Sequence, residues 1–201
     1  VEPPMTGDTA RYLGPERGGF TSLFSTLNRN KKSVALDLKD AEQQAIFLKL
    51  VESADVILEN YRPGVLDRLG IGYEALSKIN PQIVYASITG YSDGPYENRR
   101  VFDPLIQATS GTAWAQGEGD PENIKTIIFD KVTALTTAQG ITAALLERER
   151  TGEGQFLPVT MLESALSYQW NDVFWSRSWV GDGVTEAPGE LARCSRPRTG
   201  R

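Results

Sequence analysis

The sequence predicts an α/β fold built on a mainly parallel sheet, and three observations lead there. Apolar runs of strand length stand at 33–38, 55–60 and 82–90, helical patterns fill the intervals between them, and the last run stops at a Gly/Asp/Pro-rich loop. A strand, helix, strand, helix, strand order is what right-handed parallel crossovers require.

The elements follow in order. "SVALDL" (33–38) reads as a buried strand, and "AEQQAIFLKLVESA" (41–54) as a helix with Ala45, Phe47, Leu48, Leu50 and Val51 largely on one face. "DVILEN" (55–60) is the second strand. "RPGVLDRLG" has Pro63 in a first turn and Gly70 as its stop, which marks a short helix, and "YEALSKI" is another. "QIVYASITG" (82–90) is the third strand, closed by "GYSDGPYENRR". "DPLIQATSG" (103–111) should be a helix with Pro104 in its first turn, "AQGEGDPEN" an acidic surface loop, and "TIIF" a short strand. From Lys131 to Arg150 a helix is expected with Val132, Leu135, Ala138, Ile141 and Leu145 as its buried stripe. "TGEGQ" closes it, "FLPVTML" returns as a strand and "ESALSYQWNDVFW" resumes helical spacing. Residues 1–180 are expected to form part of a large domain and 181–201 a poorly ordered tail.

Composition narrows the chemistry. With 201 residues, 40% of them hydrophobic and 23% charged, the chain can bury a sizeable core. It contains no histidine, which removes Ser-His-Asp and Cys-His catalysis and imidazole metal ligation, and its one cysteine, Cys194, rules out an internal disulfide or a thiolate metal cluster. No metal site is expected. A net charge of −5 argues against nucleic acid as a partner, while a local basic pocket for an anion stays open. No run reaches the roughly 20 apolar residues that span a bilayer, and no signal peptide is legible, so a cytoplasmic protein with no membrane partner is expected. The chain starts at Val1 with no initiator Met, and a longer parent sequence is expected.

Asp130 falls where the "TIIF" strand should meet the following helix, the edge at which open α/β sheets bind ligands. An N-cap, contributing about 1 kcal/mol, is the plainer role; a reactive carboxylate is the functional one, and the two are compatible. "NRNKKS" carries Arg29, Lys31 and Lys32, either as a solvated basic loop or as an anion site. "ENYRPG" brings Asn60, Tyr61 and Arg62 to the end of a strand, with Arg68 further on; an Arg beside a flat aromatic suits a phosphate and a purine. "GIGYEA" matches a dinucleotide fingerprint in letters only, because it follows a helix and Gly70 serves as a helix stop. The acids of "GEGD" would repel phosphate, so that loop reads as a solvent-facing turn. Tyr168, Trp170, Phe174, Trp175 and Trp179 read as core or interface packing, and the arginines of the tail as a solvated end.

Taken together, "NRNKKSVALDLK", "ADVILENYRPGVLDRLGIGYEAL", "NPQIVYASITGY", "GPYENRRVFDPLIQATSG" and "ITAALLERERTGEGQ" resemble the class III CoA-transferases, over about residues 1–168. The resemblance implies a Rossmann-like open sheet within an interlocked homodimer. It implies that Asp130 attacks an acyl-CoA thioester, giving an aspartyl acyl anhydride and then an aspartyl-CoA thioester, with CoA passing to an acceptor carboxylic acid. Coenzyme A, as acyl-CoA substrate, would be contacted by Leu36, Lys39, Asn60, Tyr61, Arg62, Arg68, Leu69 and Arg100. The helix from Ser164 to Trp175 is a candidate dimer surface.

Several departures shape the expectation. The racemase branch of the family carries histidine where this chain has Phe102, and a phenyl ring cannot move a proton, so transfer is preferred over racemisation. Asp103 reads as a cap for the helix it begins. Ala134 replaces a glycine usual in the family, and segments found in full-length members before "VEPP" and after the tail are expected to be missing. An acyl-CoA racemase or isomerase, and a noncatalytic CoA-binding fragment, are the competing readings.

Overall fold

The computed structural model describes residues 1–116, 120–174, 178, 179 and 181–183. In chain order these form a 3-10 turn (Thr9–Tyr12), β1 (Glu16–Arg17), β2 (Phe20–Thr21), α1 (Ser22–Leu27), α2 (Ala41–Val51), β3 (Val56–Glu59), α3 (Val65–Arg68), α4 (Tyr73–Ile79), β4 (Val84–Thr89), α5 (Asp103–Thr109), α6 (Thr112–Gln116), α7 (Ile128–Thr151), β5 (Gln155–Thr160) and α8 (Met161–Val173). They divide into two compact units, one of Val1–Ala54 with Asp67–Pro81 and one of Asp55–Leu66 with Gln82–Arg201. Most of the "GEGD" loop, Trp175 and the tail from 184 onwards lie outside the described residues; Ala115 and Gln116, expected in a loop, end α6.

In the first unit the expected strand at 33–38 is reduced to a single bridge between Ala35 and Glu2. The physical reason is local: Pro3 and Pro4 follow Glu2 and have no N–H to extend a ladder. Glu2 is anchored instead by its side chain, which accepts from Arg11 Nε at 2.8 Å and Nη2 at 2.7 Å, from Ser33 Oγ and from Asp8 N at 2.8 Å. These bonds, the Arg11 guanidinium first, hold the Glu2 carboxyl well below the usual carboxylate range. Asp40 caps α2 by accepting from Gln43 N at 3.0 Å, as its position before an apolar-periodic run demands. Of the face expected on α2, Val51 is buried and Phe47 and Leu48 are half-buried, but Ala45 and Leu50 are exposed. Pro63 precedes α3 by two residues instead of opening it, while Gly70 adopts the left-handed conformation (φ +74°) that stops the chain after α3.

The second unit holds the sheet. β3, β4 and β5 are parallel in the order β3-β4-β5, with Val56 opposite Val84, Val84 opposite Gln155 and Thr89 opposite Thr160. β4 is central, and its Val84, Tyr85 and Ala86 are buried as a two-sided strand requires. Pro158 sits in β5, which among the described residues pairs with β4 alone, so its missing N–H costs no ladder bond on the outer side. Gly154, immediately before β5, lies against the residues that lead into β4: a Cβ there would overlap the Ile83 carbonyl oxygen and the Gln82 carbonyl carbon. Gly154→Ala is therefore expected to destabilise the fold by about 3 kcal/mol, read as a lower denaturant midpoint at unchanged m-value.

Two expectations fail on α7. It begins at Ile128, so "TIIF" is not a strand but the lead-in and first turn of the helix. Its fully buried residues are Phe129, Thr133, Thr137 and Ala144; of the expected stripe Val132, Ile141 and Leu145 are half-buried, while Leu135 is 68% exposed and Ala138 is exposed as well. Threonine can line a core here because each hydroxyl donates one turn back, Thr133 to Phe129 O at 2.6 Å and Thr137 to Thr133 O at 2.7 Å. The stripe therefore contains hydroxyls that a hydropathy pattern assigns to solvent. Gly140 on the same helix lies against Leu157 of β5, closer than a Cβ would allow. At its C-terminus Gly152 is left-handed (φ +78°) and donates to Arg148 O at 2.7 Å. Arg148 itself reaches the starting edge of the sheet: Nη2 donates to Asp55 Oδ1 at 3.0 Å, and Nη1 lies 3.4 Å from Asp55 O and 3.5 Å from Gln82 O.

Candidate active site

A cleft of about 550 Å³ opens at the C-terminal ends of the parallel strands. The turn after β3 supplies Asn60, Tyr61, Arg62 and Pro63; the end of β4 supplies Ile88, Thr89 and Gly90; the following loop returns with Glu97, Arg99, Arg100, Val101 and Phe102. The floor is Asp130, Thr133 and Ala134 from α7 and Met161 from the start of α8. Gly90 permits this return, since a Cβ there would overlap the Val101 side chain. Beneath the cleft, Ile106, Phe129, Met161 and Ala165 form a buried apolar cluster, with Val101 and Val132 packed against it.

Asp130 is the third residue of α7 and does not cap it. The capping carboxylate is Asp103, from α5, whose Oδ2 accepts from Phe129 N at 2.6 Å and from Asp130 N at 3.4 Å. Asp103 is thus structural, as expected, but for a different helix; at the start of α5 the N-cap position is Phe102, with no side-chain bond. Two orphan N–H groups of the first turn of α7 are satisfied from another helix, and the Asp130 carboxylate accepts no hydrogen bond from the described residues. The helix N-terminus favours its ionised form. Against that, partial burial foremost and the Asp103 charge next raise its proton affinity above the ordinary aspartate value, with Lys131 acting in the opposite sense.

That shift has a sign that can be measured. The native state holds the Asp130 proton more tightly than the unfolded chain, so this group's contribution to stability is complete below the ordinary value of 3.8 and is lost as pH rises through the raised native value. Asp130→Asn is expected to raise stability at neutral pH by less than about 1 kcal/mol, the group being exposed enough to be screened, with the gain vanishing below pH 3.8. Thermal melts of both proteins across pH check it.

The structure brings Asn60, Tyr61, Arg62, Arg100 and Asp130 to one cleft. Tyr61 is 48% exposed and Phe102 71% exposed, so both rings stand open to whatever occupies the site. Leu36, Lys39, Arg68 and Leu69 belong to the first unit. There Gln44 Nε2 donates to Leu38 O at 3.0 Å and to Leu69 O at 2.8 Å, which draws the 36–39 and 68–69 segments together. Of the basic loop, Lys31 and Lys32 line a separate hollow of about 280 Å³ with Glu2 and Arg11, and Lys31 Nζ donates to Asn28 Oδ1 at 3.0 Å. "GIGYEA" is a helix start, with Gly72 at the N-cap of α4. Of the aromatic group, Tyr168, Trp170 and Trp179 are exposed and so not core, while Phe174 is half-buried and packs on Trp170 at 5.3 Å between centroids.

Sequence reasoning missed Arg99, Glu97, Thr133 and Met161. Arg99 lies with its guanidinium 4.6 Å from the centre of the Tyr96 ring, and Tyr96 in turn lies 6.0 Å from Tyr91. The signal was present in "GYSDGPYENRR", a long polar loop leaving a strand at the ligand edge, with both arginines at its end. Among the described residues, no three His, Cys, Asp or Glu side chains gather as a metal site, and no helix is long and apolar enough to cross a membrane.

Comparison with known proteins bears on this cleft. The family model described as CoA-transferase family III matches residues 1–198. An acetyl-CoA:oxalate CoA-transferase of Acetobacter aceti is 43% identical over 172 residues, covering 84% of this chain and 44% of that protein. A formyl-CoA:oxalate CoA-transferase of Afipia carboxidovorans is 40% identical over 170 residues, covering 83% of this chain and 40% of that protein. The crystal structure of a CaiB/BaiF family protein from Brucella suis superposes with a TM-score of 0.80 at 35% identity, over 85% of this chain and 47% of that one. The chain therefore spans less than half the length of these three relatives.

Proposed function

This chain belongs to CoA-transferase family III, and on that premise we propose that it supplies the nucleophile of a CoA-transferase acting between an acyl-CoA and a carboxylic acid. The observation that carries the reading is the division of labour at the start of α7: Asp103 caps the helix, which leaves the Asp130 carboxylate facing the cleft without a structural task.

In this proposal an Asp130 oxygen attacks the thioester carbon, the C–S bond breaks, CoA leaves as thiolate and a mixed anhydride remains. The thiolate attacks the Asp130 carbonyl, releasing the donor carboxylate and forming the aspartyl-CoA thioester. The acceptor carboxylate attacks that thioester to give a second anhydride, and the thiolate takes the new acyl group, restoring Asp130. Charge balances at each step and no proton must move, which suits a cleft containing no histidine. Arg62 and Arg100 offer cations for the phosphate groups of CoA and Tyr61 a face for its adenine. For the first unit the same assignment is carried as part of the proposal: Leu36, Lys39, Arg68 and Leu69 contact CoA. A homodimer belongs to the proposal as well, supported by the exposed Tyr168 and Trp170 of α8. Phe102 at the cleft has no proton to give or take, which speaks against a racemase.

Trapping tests the reading. Trypsin releases residues 126–131, in which Asp130 is the sole acid. After incubation with acyl-CoA and hydroxylamine, mass spectrometry is expected to find a hydroxamate confined to that peptide. CoA bound with that peptide unmodified would point to a binding module.

A further inference from the structure

Asp103 and Gln107 stand one turn apart on α5, 2% and 1% exposed. Asp103 holds Phe129 N and Asp130 N through Oδ2 and accepts from Gln107 Nε2 through Oδ1. Gln107 extends the grip: its Oε1 accepts from Ile124 N at 2.7 Å, and its Nε2 lies 3.3 Å from Ile124 O and 3.2 Å from Thr126 O. Two side chains of one helix thus hold the backbone at both ends of the 124–130 segment, the stretch that leads into α7 and ends on Asp130.

A buried carboxylate and amide are an expensive way to join two segments, because apolar residues of the same volume would be at least as stabilising. Hydrogen bonds add what apolar packing lacks, a fixed direction. Resting on the reading of Asp130 as nucleophile, we propose that Asp103 and Gln107 form a positioning clamp that sets the placement of the Asp130 carboxylate in the cleft. Asp103 is a positioning residue, acting through the backbone of Asp130 and not on the substrate. Its charge also bears on Asp130, as does that of Lys131 on the same helix; the other charged residues lining the cleft are Arg62 on the turn after β3 and Glu97, Arg99 and Arg100 on the loop before α5. Within that set Asp103 opposes ionisation of Asp130 and, through the cap, orients it.

The test is steady-state kinetics of the full-length protein with Gln107→Leu, Asp103→Asn and, as control, Asp130→Asn, with the pH profile of kcat measured for each active form. Gln107→Leu releases the grip and keeps the charge: kcat is expected to fall about 10- to 100-fold, with KM for acyl-CoA within twofold and the acidic limb unmoved. Asp103→Asn removes the charge and leaves an acceptor for only one of its two bonding directions: kcat falls over the same range and the acidic limb moves to lower pH. Wild-type kcat in either variant, or an unmoved limb in Asp103→Asn, overturns the clamp. Should Asp103→Asn not fold, Asp103→Glu takes its place: the charge stays and the geometry shifts, so lowered kcat with an unmoved limb supports the clamp and wild-type kcat overturns it. The control separates the two levels, since full transfer by Asp130→Asn overturns the nucleophile reading itself. Loss there, beside unchanged Asp103 and Gln107 variants, overturns the clamp alone.

Discussion

Asp130→Asn lowers the rate of CoA transfer by about 10³-fold or more, while KM for acyl-CoA stays within a few-fold. An amide has nearly the size and shape of the carboxylate it replaces, so the floor of the cleft and the Asp103 cap are retained; what goes is the anionic oxygen that serves as nucleophile in the proposed mechanism. A thousandfold loss corresponds to about 4 kcal/mol of transition-state stabilisation, far more than one polar contact to a bound substrate contributes. Initial rates of acyl-CoA formation on the acceptor, with CoA affinity measured alongside, decide the matter. Unchanged transfer would sink the proposed function. Because the same substitution is expected to raise stability at neutral pH, a loss of activity could not be assigned to unfolding, and the pairing of a firmer fold with a dead site is itself the signature sought.

Phe129→Ala is the second large effect, and it acts on the fold. Phe129 is 1% exposed at the centre of the cluster with Ile106, Met161 and Ala165, and its backbone N–H is the one Asp103 holds at 2.6 Å. Truncation removes a ring where α5, α7 and α8 meet and leaves a cavity that a capped helix start cannot close by collapsing. A loss of about 3–5 kcal/mol is expected, a large share of the stability of an ordinary domain. Denaturant unfolding measures it. A loss under about 1 kcal/mol would mean that the cluster is not the support of the cleft floor.

The parts legible in sequence are those where local chemistry and tertiary demand agree. The β3 and β4 runs, the glycine stops at Gly70 and Gly152 and the Pro104 helix start were all readable, because each is decided by backbone preference, to which β4 adds the burial of Val84, Tyr85 and Ala86. The misreadings fall where a distant residue overrides the local signal. "TIIF" has the β-branched look of a strand, but Gln107 and Asp103 reach it from more than 15 positions away and turn it into the lead-in and first turn of α7. The same absent information made Asp130 a plausible cap, since the true cap lies 27 residues earlier. The buried stripe of α7 was placed only in part because Thr133 and Thr137 satisfy themselves within the helix and pack as apolar residues do. For the site, the strand-end position of Asn60, Tyr61 and Arg62 was visible as a pattern, whereas Thr133 and Met161 join it only through the packing of α7 and α8.

Arg148 gives the sheet a fastened end and a free one. Its guanidinium ties the last turn of α7 to the residues where β3 and β4 begin, at the opposite edge from the cleft. The contacts lie at the starts of the strands, away from the loops that carry Tyr61, Arg99 and Phe102. Those loops are at liberty to diverge: under the proposed function, rewriting them is the expected route from one acceptor acid to another, with the scaffold left unchanged.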